Sequence, residues 1–337
     1  MNENADKKAE ARETTAGPVL QTAPSPHLSN ESFTTRRMMA DVLIALIPVV
    51  GMAVYVFGMF AVKQLVICLV SCLAAEAIFT RMRKRPIPLG DGSAAITGVI
   101  LALSLPGPAP WYVGVIASFV AIGIGKVIFG GLGMNIFNPA MVGRAFVMIA
   151  FAGAMAASGY MTAGGAVDAV SQATPLTLFQ QEGVVTPLLK LFIGTTNGSL
   201  GEGSALACLI GGAYLCIRRT ASWEIPAGVI LAVVVCAGLA SLANPDSEWT
   251  VLHHLFGGAL LFGAFYIATD PVTSPLTSGG KFVFGLGVGA IIMLLRIFSG
   301  YPEGVMFAVL LMNAMTPLIN RWMIPKPFGT VKVEEAA

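Results

Sequence analysis

The residues best suited to chemistry sit in the longest polar interruption of an otherwise apolar chain, the run DAVSQATPL from Asp168 to Leu176. Thr174 is its central residue. Pro175 follows it and pushes it towards an extended conformation, which presents the hydroxyl away from a helix. Ser171 and Ala173 are small and leave room for a bulky group, and Asp168 lies six residues upstream. A hydroxyl near an acid can be esterified by a phosphate when an enzyme attaches it. The plainer alternative is that Thr-Pro closes a loop.

Other candidates are carboxylates at the ends of apolar runs: Asp91, Glu202, Asp270 in ATDPVTSP and Glu303 in YPEG. Carboxylates at membrane depth are costly and usually functional. Asp91, Glu202 and Glu303 open their runs, where a helix N-terminus alone would welcome a negative charge. Asp270 closes one, where the dipole opposes it, so it is the stronger candidate for an ion path or a cofactor site. His253 and His254 begin another run and suit either a proton path or an interfacial position. All five cysteines fall inside apolar segments with no C-x-x-C pair. They read as small hydrophobes, and no zinc or iron–sulfur spacing is present. Gly130, Gly131 and Gly133 follow no strand, so a dinucleotide loop is excluded and close helix packing explains them better.

The scaffold that must hold these residues is a membrane one. The chain is 55% hydrophobic and 11% charged, against roughly 25% charged in soluble domains. A net charge of +2 gives no footprint for nucleic acid. Residues 1–40 are polar, lack the apolar core of a signal peptide, and read as a disordered cytoplasmic tail.

Apolar runs suggest about ten spans, five in a membrane half over 41–157 and five in a second half over 204–322. Each is near the lower end of the ~17–25 residues a bilayer helix needs. Between them, 158–203 holds Thr174 and a piece, Leu188–Ile193, too short to cross; 323–337 is a second tail. Arginine and lysine cluster beside the loops that ten spans would put on the cytoplasmic side, with Lys126 and Arg144 flanking one of them. Lys63, Lys190 and Arg296 lie towards the other side. Both termini are therefore expected inside and Thr174 on the outer face. Five-plus-five also gives two inverted halves, in which the third and eighth spans, both rich in small residues, correspond.

Asp-x-x-Ser-x-Ala-Thr resembles the acceptor motif of flavin transferases, which usually has glycine where Gln172 stands. The resemblance extends to GGLGMNIFNPAMVGRAF (Gly130–Phe146), GSLGEGSALACLIGGAYL (Gly198–Leu215), FGAFYIATDPVTSP (Phe262–Pro275) and GYPEGVMFAVLLMNAMTPLINR (Gly300–Arg321). These four motifs, in this order, are similar to the RnfD family, a membrane component of the Rnf ion-translocating ferredoxin:NAD oxidoreductases, related to NqrB of sodium-pumping quinone reductases. The short N-terminal region favours the RnfD side.

The resemblance implies an all-α protein of a bacterial inner membrane, embedded in lipid. It implies partner subunits of the C, G, A, E and B types and a flavin transferase for maturation. It also implies two cofactors: FMN joined to Thr174 by a phosphoester within the Asp168, Ser171, Ala173 motif, and non-covalent riboflavin nearer the cytoplasm. Asn135 and Asn138, three apart, can address a flavin's carbonyls and ring nitrogens. Asn138 before Pro139 equally suits a helix N-cap. The expected function is electron relay between ferredoxin and NAD, coupled to Na⁺ or H⁺. A cofactor-free transporter with inverted repeats, or the quinone-reducing relative, are the alternatives.

Overall fold

The computed structural model describes residues 34–85, 89–156, 174–243, 245, 248–299 and 303–323. Among them every regular element is helical, apart from an isolated bridge between Pro106 and Ser199. In chain order the first half holds α1 (Thr35–Phe57), α2 (Met59–Met82), α3 (Ser93–Ser104), α4 (Trp111–Ile122, prolonged by a π turn over Gly123–Val127), α5 (Pro139–Ala150) and the short α6 (Ala152–Ala156). Two small helices follow, α7 (Pro175–Glu182) and α8 (Leu188–Ile193). The second half holds α9 (Ala205–Ile217), α10 (Glu224–Ala243), α11 (Val251–Phe256), α12 (Leu260–Phe262, prolonged by a π turn over Gly263–Ile267), α13 (Ser278–Phe298) and α14 (Val305–Trp322).

The chain is an all-α membrane protein. Helices α1, α2, α10, α13 and α14 are long and apolar enough to span a bilayer; α3, α4, α5 and α9 are apolar but shorter. Helix α1 opens at Thr35, where the Thr34 hydroxyl accepts from the Arg37 N–H (3.3 Å) and caps it. The two halves pack alike. Helix α2 lies along α4 as α10 lies along α13, α4 meets α5 as α13 meets α14, and the leading helices α1 and α9 meet each other.

The third and eighth segments depart from a plain span, as their small residues suggest. Helix α3 stops inside the bundle, where the carbonyls of Leu103 and Leu105 accept from the N–H groups of Gly201 (2.7 Å) and Leu200 (3.2 Å). The eighth breaks at Gly257 and Gly258, between α11 and α12. Non-helical backbone at this depth persists only where the protein satisfies it.

Small residues set the closest crossing, that of α9 on α1. A Cβ added at Gly211 would collide with the Ala45 carbonyl and the Tyr266 hydroxyl. Tyr266 donates to both the Ala45 (3.0 Å) and Cys208 (3.4 Å) carbonyls, so it cannot move aside without breaking those bonds. Gly211→Ala is expected to destabilise the fold by about 1–3 kcal/mol through overpacking, read as a lower unfolding temperature of the detergent-solubilised chain.

The cationic loops touch and so share one end of the bundle. Arg83 donates to the Val127 carbonyl and Arg85 to that of Gly130 (3.4 Å). Arg218 pairs with Asp41 (3.4 Å), and Lys281 donates to the Ser222 hydroxyl (2.6 Å). Three charges that the sequence counts towards the orientation of the spans are buried or nearly so: Lys126, Arg144 and Arg296. They answer to carboxylates and carbonyls within the bundle and carry no topological signal.

Candidate functional site

Thr174 stands half-buried at the head of α7. Its backbone is extended (φ −64°, ψ 156°), as the following proline requires. Its hydroxyl accepts from the Thr177 N–H (3.2 Å) and bonds the Thr177 hydroxyl (2.9 Å). Thr174 is therefore a helix N-cap with proline in the first turn, and no mere loop closure. With Thr196, Asn197, Glu202 and Gly258 it lines a small recess. Asp168, Ser171 and Ala173 lie outside the described residues.

Behind the recess lies a buried charge network. The Arg144 guanidinium reaches Glu303 (3.2 Å) and Glu202 (3.9 Å), and the Ser199 hydroxyl donates to Glu202. Arg296 donates to the carbonyls of His254 and Gly257, the latter at 2.8 Å. Gly258 fits between these groups with φ +69°; an added Cβ would lie 2.8 Å from Leu176 and 3.1 Å from both Arg296 and Glu303. Glu303 Oε1, Arg144 Nε and Arg296 Nε are buried without a hydrogen-bond partner. Glu202 and Glu303 thus do more than complement helix ends. Asp91 precedes α3, accepting from the N–H (2.8 Å) and hydroxyl (2.6 Å) of Ser93.

His253 caps α11: its Nδ1 accepts from the Thr250 N–H (3.1 Å). Its ring tilts against Trp249, which stacks on Phe179 of α7. His253 is 5% exposed, so it packs beneath the Trp249 that holds α7 and does not take the interfacial position the sequence also allows.

At the other end, beside the cationic loops, lies a cavity of about 830 Å³ of space with its mouth included. It gathers Asn135 and Asn138 from the first half and Asp270 from the second. Met38, Ile96, Ile100 and Phe265 supply apolar walls. The Asn138 side chain accepts from the N–H groups of Ala140 (3.1 Å) and Met141 (3.3 Å), capping α5, and donates to the Ile267 carbonyl (3.3 Å). With its amide oriented to satisfy both ends, Asn313 accepts from the Asn138 N–H (3.0 Å) and donates to the Val309 carbonyl (3.3 Å). Asn135 donates to the Phe137 carbonyl (3.2 Å). Asp270 accepts from the Val272 N–H (3.1 Å) and the Thr273 hydroxyl (3.3 Å). Desolvation raises its carboxyl above the usual range, and these two bonds pull the other way.

Both π turns of the described residues reach this cavity, one through Lys126 and the other through Phe265 and Tyr266. Such turns often mark functional sites. Lys126 is buried and bonds Glu76 and the Ser93 hydroxyl. Sequence reasoning misses Glu76 and counts Lys126 only as a charge flanking a loop. The cost of burying either charge in an apolar run is the available signal.

Recess and cavity stand at opposite ends of α9. Glu202 borders one just before the helix and Leu215 the other near its end, with about 15 Å of helix between Ala205 and Leu215 at ~1.5 Å per residue.

A family model described as the NQR2, RnfD, RnfE family matches residues 21–329. The D-type subunit of a Na⁺-translocating ferredoxin:NAD⁺ oxidoreductase complex from Acetobacterium woodii is 40% identical over 94% of this chain and 98% of its own length. Its counterpart in a proton-translocating ferredoxin:NAD⁺ oxidoreductase complex from Clostridium ljungdahlii is 38% identical over 93% and 97%. The corresponding subunit of an ion-translocating oxidoreductase complex from Stutzerimonas stutzeri is 41% identical over 87% and 92%. The chain belongs to the NQR2, RnfD, RnfE family, as a member of its RnfD group.

Proposed function

We infer that this chain is the D-type subunit of an ion-translocating ferredoxin:NAD oxidoreductase complex in a bacterial inner membrane. It carries electrons between FMN on Thr174 and riboflavin in the cavity at the opposite end. The observation that carries this reading is the placement of two capped helix heads, Thr174-Pro175 and Asn138-Pro139, at the two seats. When bound, flavin supplies one- and two-electron chemistry; the protein supplies binding, orientation and charge.

The residues present fit both groups. A phosphate esterified to Thr174 lies at the positive end of α7, in reach of the Thr177 N–H, where an anion is favoured. A transferase reaches it because Thr174 is only half-buried. In the cavity, apolar walls suit a flat aromatic ring, while the amides of Asn135 and Asn138 suit its carbonyls and ring nitrogens. Two seats are needed because one electron hop does not cross a ~30 Å hydrocarbon core. The excess of arginine and lysine at the cavity end supports a cytoplasmic position for it and an outer one for Thr174. The ferredoxin- and NAD-handling partners are subunits of the C, G, A, E and B types. The relatives' names differ in the ion, so the reading extends to Na⁺ or H⁺ as a class.

Asn138→Ala tests the cavity seat. It removes the α5 cap, costing about 1 kcal/mol, and takes one of two donors from the Ile267 carbonyl, leaving the Asp270 N–H (3.4 Å). The purified variant is expected to lose acid-extractable, non-covalent flavin while keeping the flavin bound to the denatured chain. Full retention of extractable flavin would contradict the assignment.

A further inference from the structure

We propose that Lys126, clamped by Glu76 and Ser93, is the positive charge that sets the reduction potential of the flavin held in the cavity at the cytoplasmic end. The inference rests on that second-flavin reading.

Three observations carry it. First, Lys126 is 3% exposed yet lines the cavity together with Ser93, whose hydroxyl accepts from its ammonium, so a charge withdrawn from water stands at the wall of the space a ligand would fill. Second, it sits in the π turn of Gly123–Val127, a one-residue widening of α4 that the rest of that helix does not need. Third, its partner is left incomplete. Glu76, 1% exposed, uses Oε1 for Lys126, while its Oε2 is buried with no hydrogen-bond partner. A pair kept only for stability has no reason to exist here, since apolar residues of similar size usually serve as well. A pair of incomplete complementarity at a cavity wall suits a charge that arrives and leaves.

One-electron reduction adds an electron and no atom to a flavin ring. The cavity then gains one negative charge. No proton moves in this step, so Lys126, already paired with Glu76, then faces a second negative group. The ammonium stabilises the added charge across a poorly screened gap. Glu76 opposes it from behind. Removing each member of the pair must therefore shift the potential in opposite directions, whereas a purely structural pair predicts no such split in sign.

The test uses the full-length chain carrying Thr174→Val, so that only non-covalent flavin reports, in spectroelectrochemical titrations of the first electron. Lys126→Met is expected to weaken the one-electron-reduced form at least tenfold, a downward shift of about 59 mV for one electron. Lys126→Arg should stay within about threefold of the parent. Glu76→Gln should shift upward, and it carries the test if Lys126→Met fails to fold. Unchanged potentials in Lys126→Met and Glu76→Gln, or shifts of the same sign, overturn the role of Lys126 and leave the flavin seat standing. A parent chain that binds no extractable flavin overturns both.

Discussion

Thr174→Val, made in cells that carry a flavin transferase, yields a denatured chain with no ultraviolet-excited flavin fluorescence, where the parent band glows. Valine keeps the branched shape of threonine and removes the one oxygen that can form the ester. The fold should survive. The lost cap of α7 costs about 1 kcal/mol, and α7 remains fastened through the Phe179–Trp249 stack (4.4 Å). Thr174→Ser keeps both oxygen and cap and is expected to retain a measurable part of the label. A valine variant as bright as the parent would mean that the flavin hangs elsewhere. A dark parent would favour the cofactor-free transporter.

Arg144→Met is expected to be the most damaging single change to stability. Arg144 is 11% exposed and answers two carboxylates, Glu303 and Glu202, each from a different segment of the chain. Removing it strands buried negative charge, at a cost of about 3–5 kcal/mol. The measurement is the yield and thermal stability of monodisperse protein in detergent. If the loss comes from the stranded charge, Glu202→Gln with Glu303→Gln should recover most of it. A variant as stable as the parent would show that the network is hydrated and weak.

Sequence makes the bundle legible because membrane spans are written locally. Long apolar runs such as 224–243 name their helices without reference to any neighbour. The eighth segment is harder, since its break at Gly257 and Gly258 depends on Arg296, Glu303 and Leu176 closing around it. The sites are legible in part. Asn135, Asn138 and Asp270 can each be singled out, but only the fold brings them to one cavity. Asn138-Pro139 is readable as a helix head, and the same two-residue signature at Thr174-Pro175 is as easily read as a loop, although the physics is identical. Pairings between distant charges are invisible: Glu76 with Lys126, or Arg144 with Glu303, have no local signature. Lys126, Arg144 and Arg296 therefore pass for topological charges when only the sequence is read. Orientation does not rest on them, because the loop cations at Arg83, Arg85, Arg218 and Lys281 share one end through their own contacts.

The attachment of FMN to Thr174 is tested most directly by mass spectrometry of the proteolytic peptide that contains it, from protein matured with its transferase. The peptide is expected to carry the mass of FMN less one water, with fragment ions placing the addition on Thr174. The unmodified mass alone, or an addition mapped to Ser171 or Thr177, would contradict the account.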